Sequence, residues 1–186
     1  MNAELQQVEK FLNQYGMTLG RNKKTTNSLL RQLTRQNIIA RSMRCVYKID
    51  NFIIKASSDA TSFRLPIGAD QCLNEFDIYT SDDERLQEFK EILCPVYALY
   101  ESKFIYLTVH KLLTPLDTST ESTETIYTHL EKGFSFSNVD SFFPLLEKFK
   151  KTWVSDSPEL QNEYCKINSF GYDEKNNLYL LDYGML

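Results

Sequence analysis

Hydrophobic positions recur along this 186-residue chain with two different periods. Leu5, Val8, Phe11, Leu12 and Tyr15 fall at helical spacing, which predicts an amphipathic helix over residues 3–15, punctuated by Gly16 and Gly20. Residues 27–36 read as a second helix, with Asn27 as cap and Leu29, Leu30 and Leu33 inward. The period then shortens. RCVYKI (44–49) and FIIKA (52–56) read as strands joined at Asp50-Asn51, where asparagine tolerates positive φ. CPVYALY (94–100) and FIYLTVH (104–110) form a second hairpin around Glu101–Lys103.

Between the hairpins, 57–69 reads as a loop. From Asp70 a helix places Leu73, Phe76 and Tyr79 on one face, and a further helix opens at Ser81–Glu84 with Leu86, Phe89 and Ile92 at spacing three. Residues 117–125 (DTSTESTET) are a polar linker and the clearest boundary. Residues 139–153 align Phe142, Leu145, Leu146, Phe149 and Trp153, with Pro144 acceptable only in a first turn. Residues 164–172 read as irregular, and NNLYLLDYG (176–184) as a turn, a buried strand and a polar end.

The fold class that follows is α+β. It comprises an N-terminal helical basic segment (1–37), an antiparallel sheet of about five strands flanked by the helix bearing Glu75 (within 38–116), and a linker with a reduced, mainly helical part (117–186).

Charge adds an asymmetry. Residues 1–50 carry nine Lys/Arg against Glu4, Glu9 and Asp50, a balance of +6, while the whole chain stands at −4. The head therefore faces either the acidic remainder of its own chain or an acidic protein partner, with Arg21, Lys23, Lys24, Arg31 and Arg35 as contact residues. No zinc-finger or RNA-binding signature accompanies it, so nucleic acid is not expected. Cys45, Cys72, Cys94 and Cys165 are too scattered for a metal pattern and read as isolated thiols of a reducing compartment. No apolar run is long enough for a transmembrane helix and the N-terminus lacks the signal-peptide pattern, so a cytoplasmic location without membrane contact is expected.

Three polar residues gain meaning from their order. Lys55 lies in FIIKA, Glu75 follows in LNEFDIY, and Asp182 stands in LLDYG. Strand lysine, helix glutamate, hairpin, linker, helix and strand-Asp-Tyr-Gly resemble the protein-kinase fold, and especially the small divergent kinase-like proteins of bacteria and their phages, over residues 38–184. The resemblance implies Lys55 at the ATP phosphates, Glu75 as its partner, and Asp182 with Asn168 as Mg²⁺ ligands. It also implies that residues 108–110 lead into the segment that holds adenine.

The departures are as informative. The stretch IIARSMRCVYK has no glycine where the phosphate loop belongs; Arg41 or Arg44 would have to neutralise phosphate instead. No aspartate occupies the catalytic-base position in either register of NEYCKINSFGYD; Glu163 is the nearest candidate, and the alternative register gives Tyr164 and Ser169. The resemblance stops just past Gly184, before any substrate-binding half.

The expected function is a catalytically silent kinase-like protein that binds another protein and requires no cofactor. Weak ATP and Mg²⁺ binding is compatible with Lys55 and Asp182. A minimal phosphotransferase using Lys55, Glu75, Asn168 and Asp182, and an unrelated α+β interaction protein, are the alternatives.

Overall fold

The computed structural model describes residues 3–23, 27–33, 38–41, 44–57, 67–102, 105–118, 123–154 and 157–184. The chain divides into two compact units: Met1–Thr80 with Pro95–Leu112, and Ser81–Cys94 with Leu113–Leu186. Residues 81–94 thus belong with the second unit, whereas the basic head belongs with the first.

The first unit opens with α1 (Ala3–Gln14), which buries Val8, Phe11 and Leu12. Gly16, at φ 65°, ends it in the left-handed region open to glycine, and Met17 N–H returns to Leu12 O at 3.0 Å. Next come β1 (Gly20–Asn22), α2 (Asn27–Leu33), β2 (Ile38–Arg41), β3 (Arg44–Ile49), β4 (Phe52–Ser57), α3 (Ile67–Thr80), β5 (Val96–Glu101) and β6 (Tyr106–Lys111).

The sheet corrects the expected five antiparallel strands. It has six, in the order β1-β5-β6-β4-β3-β2, and β1 runs parallel to β5. Both added strands are short edge strands whose sequences, GRN and IIAR, carry little alternation. At the β3–β4 turn, Asp50 takes the positive φ (50°) rather than Asn51, a role its short polar side chain also tolerates.

The two faces of this sheet differ in chemistry. Phe52, Ile54 and Ala56 of β4, with Ala98, Tyr100, Leu107 and Val109, join Phe11, Leu12, Leu29 and Leu33 in one apolar core. Side chains alternate along strands, so the opposite face receives the residues between them. There Lys55 pairs in register with Val46 and Thr108, Ile53 with His110, and Arg44 with Ser57. Helix α3 packs on β4, β5 and β6 and supplies Glu75 to that polar face.

The second unit begins with α4 (Glu84–Gln87), capped by the Asp83 carboxylate on Arg85 N–H, and continues as a 3₁₀ turn over Glu88–Glu91. The interval of three between buried Leu86, Phe89 and Ile92 is the pitch of that tighter helix. It further contains β7 (Thr114–Pro115), α5 (Ile126–Glu131), α6 (Val139–Trp153), α7 (Pro158–Glu163), β8 (Phe170–Tyr172) and β9 (Leu178–Leu180). Phe149 of α6 meets Phe89 edge-on at 5.3 Å.

Two expectations change here. Strands β7-β8-β9 form a three-stranded sheet where a mainly helical part was expected, so 170–172 is not irregular. Pro144 sits in the second turn of α6, beyond the first turn to which prolines are suited. Among the described residues no helix is long and apolar enough to cross a membrane.

Candidate functional site

The polar face of the first unit's sheet converges on one carboxylate. Glu75 is fully buried on α3, and Arg44, from the first position of β3, grips both of its oxygens at 2.6 and 2.9 Å. Lys55 Nζ donates to Oε1 of the same carboxylate at 2.9 Å. His110 Nε2 stands 3.5 Å from Oε2 and shares a 2.7 Å hydrogen bond with the Thr108 hydroxyl. Arg44 is 3% exposed and Lys55 8%, so these are interior charges, not surface ones.

The local sequence explains the placement. Asp50-Asn51 closes the β3–β4 hairpin and sets Arg44 opposite Ser57, two positions from Lys55 on the same face. Alternation alone would leave Lys55 on a wet face of an edge strand; instead β4 lies between β3 and β6 and α3 covers that face. On α3 the buried positions are Gly68, Ala69, Gln71, Cys72, Glu75, Phe76 and Ile78, while Leu73 and Tyr79 are only partly covered. The helix therefore turns Glu75 inward.

Energetically such a cluster is poised between large terms. Desolvating charges costs several kcal/mol per ion, and a bidentate guanidinium–carboxylate pair repays this only because its hydrogen bonds are short and saturated. Cys72 borders the cluster, with Thr108 Oγ1 3.9 Å from its sulfur. Burial pushes its thiol up, partly offset by the nearby Arg44 guanidinium, so Cys72 behaves as an inert apolar group.

The cluster makes Arg44 its missed member. The sequence pointed to phosphate for Arg44, and to the approach to the adenine-holding segment for His110. Residues 108–110 lie inside β6, paired with β4 and β5. The usable signal was the hairpin register, which puts Arg44, Lys55, Thr108 and His110 on one face.

The remaining candidates lie in the second unit. Asn168 belongs to a 3₁₀ turn (Ile167–Ser169), and Asp182 follows β9. Leu181 N–H donates to Ser169 O at 2.7 Å, so the two candidate metal ligands are each one residue from a shared hydrogen bond. Carboxylate and carboxamide oxygens are the donor types that Mg²⁺ and Ca²⁺ take. Among the described residues, no group of three His, Cys, Asp or Glu side chains is gathered as a metal cluster. Glu163 ends α7 in an ion pair with Lys166, which engages the nearest candidate proton acceptor. The buried Tyr164 lies against Phe149.

In the basic head, Arg21 is engaged within its own unit. Its guanidinium holds Asp77 at 2.6 Å and Glu101 at 2.8 Å, and lies 5.6 Å from the Phe76 ring centroid. Lys23 and Arg31 are exposed, and Lys24 and Arg35 fall outside the described residues. The four cysteines are free thiols.

No family model matches the chain, and no curated protein does. Among solved structures it is similar to a co-crystal structure of WbdD and the kinase inhibitor LY294002, at 15% identity and a TM-score of 0.47, over 78% of this chain. A medium-resolution structure of the bifunctional kinase-methyltransferase WbdD gives 14% identity and a TM-score of 0.46, over 77% of this chain. The chain spans 31% and 30% of those two proteins. The likeness is distant and partial, that of an α+β fold with a mixed sheet and several helices.

Proposed function

We propose that this chain is a catalytically silent, kinase-like protein that acts by binding another protein. The observation that carries the reading is the bidentate hold of Arg44 on Glu75. In the family the chain's motifs resemble, the glutamate on this helix serves to aim the strand lysine at phosphate. Here the same carboxylate is bound on both oxygens by an arginine from the segment where phosphate-binding glycines belong. Arg44 thereby turns Glu75 into a brace between sheet and helix, and Lys55 joins that brace.

Phosphoryl transfer consists almost wholly of positioning and charge stabilisation. The stretch before Val46 holds no glycine and no aspartate stands at the base position, so two separate parts of that machinery are missing from the motifs. The rival reading, a minimal phosphotransferase, draws on the retained contact of Lys55 with Glu75 and on the proximity of the Asn168 and Asp182 segments. In that reading Lys55 would hold phosphate, and Asn168 with Asp182 would hold Mg²⁺.

Incubation of the full chain with radiolabelled ATP, Mg²⁺ or Mn²⁺ and cell lysate separates the two. No incorporated label above that of an Asp182→Ala control is expected. Label that disappears in the control promotes the enzyme reading.

A further inference from the structure

We propose that β2 is a docking edge on which an acidic, extended segment of a partner protein adds as a further strand. This rests on the reading of the chain as a binding protein and names the surface it uses. Strand β2 ends the six-stranded sheet, with β3 on one side and no strand among the described residues on the other. A terminal strand presents a row of backbone N–H and C=O groups that another chain can complete. All of its side chains are exposed, including two adjacent isoleucines, Ile38 at 42% and Ile39 at 54%. Neighbouring apolar residues on an edge strand expose surface to both faces, where a sixth strand pair would otherwise bury it.

Charge selects the occupant. From Lys10 to Ile49 the chain carries nine Lys/Arg and no Asp or Glu. Arg41 sits on β2 itself, and the exposed Lys48 on the adjoining β3. Two copies of this edge would bring like charges together with no acid to relieve them, which disfavours self-pairing. The register shift between Ile38 and Ala40 works in the same direction, since a bulge interrupts indiscriminate pairing. An acidic, extended strand answers each feature: its backbone completes the edge, apolar residues within it cover Ile38 and Ile39, and a carboxylate meets Arg41.

Selection from a display library of random short peptides against the full chain tests this. The expected product is a consensus of apolar and acidic residues that slows amide hydrogen exchange at residues 38–41. Arg41→Glu should weaken such a peptide roughly fivefold and favour its lysine-for-glutamate counterpart, the scale of a single partly exposed ion pair. Ile39→Lys, a change at an exposed position, should abolish binding while leaving the unfolding midpoint unchanged. The proposal is overturned by enrichment of no sequence or of non-acidic ones, by a dimer of the protein alone that Ile39→Lys dissolves, or by an oligonucleotide that displaces the peptide. Protection that falls elsewhere overturns the edge strand while leaving the binding-protein reading intact. That reading fails only through Asp182-dependent labelling, which the peptide assay does not detect.

Discussion

Arg44 and Glu75, thirty-one residues apart in sequence, meet through two hydrogen bonds with side chains 4% and 0% exposed. Removing Glu75 leaves two interior cations without their carboxylate, and removing Arg44 leaves that carboxylate with Lys55 in place of its bidentate partner. Arg44→Ala and Glu75→Ala are each expected to cost about 3–5 kcal/mol in urea denaturation. The double substitution should cost clearly less than their sum, with a coupling of about 1–3 kcal/mol. Lys55→Ala should couple to Glu75→Ala in the same sense. Additivity throughout would mean that Glu75 is not the hub of this cluster.

A second expectation concerns acid. Asp173, 8% exposed, precedes the turn into β9. Burial pushes its carboxyl up, but the backbone and side chain of Asn177, Lys175 N–H and the Tyr179 hydroxyl outweigh this and hold it below the usual range. A folded value lower than the unfolded one adds stability above the ordinary carboxylate range, and that stability is lost as pH falls through the folded value. Asp173→Asn keeps one acceptor oxygen and is expected to cost about 1–2 kcal/mol at neutral pH. The deficit should shrink below about pH 4. A deficit independent of pH would show that the charge contributes nothing.

Gly171 on β8 has no room for a methyl group. A Cβ there would lie 2.8 Å from the backbone oxygen of Thr114 and 3.1 Å from both methyls of Leu181. Backbone cannot swing away as a side chain can, so Gly171→Ala should cost about 1–3 kcal/mol, read as a Tm lower by about 2–10 °C. An unchanged Tm would place β7 farther from β8.

Pro144 offers a gain. It lies in the second turn of α6 on an exposed position and has no N–H for the carbonyl of Asp140. Pro144→Ala is expected to stabilise the protein by about 1–2 kcal/mol, after the greater freedom of the unfolded alanine chain is counted. Destabilisation would indicate that the helix is shaped around the proline.

Sequence periodicity found what depends on near neighbours. The α1 stripe and both hairpins of the first unit follow from side chains that alternate or recur within a few residues. It missed β1, which owes its strand state to a distant partner, Arg21 to Leu99, and β2, whose four residues carry little alternation. Arg44 was misjudged for a related reason. Burial of a charge depends on what covers it, and α3 covers this face of the sheet from thirty residues away. The Lys55–Glu75 contact was legible from motif order, since the resemblance implied two elements in register. The extra arginine was not, because no local pattern distinguishes an interior guanidinium from an exposed one.

The junction of residues 92–94 with β9 bears on how the chain reaches this state. Leu180 N–H donates to Ile92 O at 2.7 Å, Cys94 N–H to Leu180 O at 2.9 Å, and the Tyr183 hydroxyl to Cys94 O at 2.8 Å across 89 residues. A chain emerging from the ribosome meets Leu86, Phe89, Ile92 and Leu93 long before the strand that covers their backbone. Synthesis of β5 and β6, which belong to the other unit, intervenes. The first unit can close on itself meanwhile, because everything it needs ends at Leu112. The second must hold an apolar, unpaired segment open until residue 180 arrives, which makes that interval the window in which a nascent chain is most exposed to proteases and to misassociation.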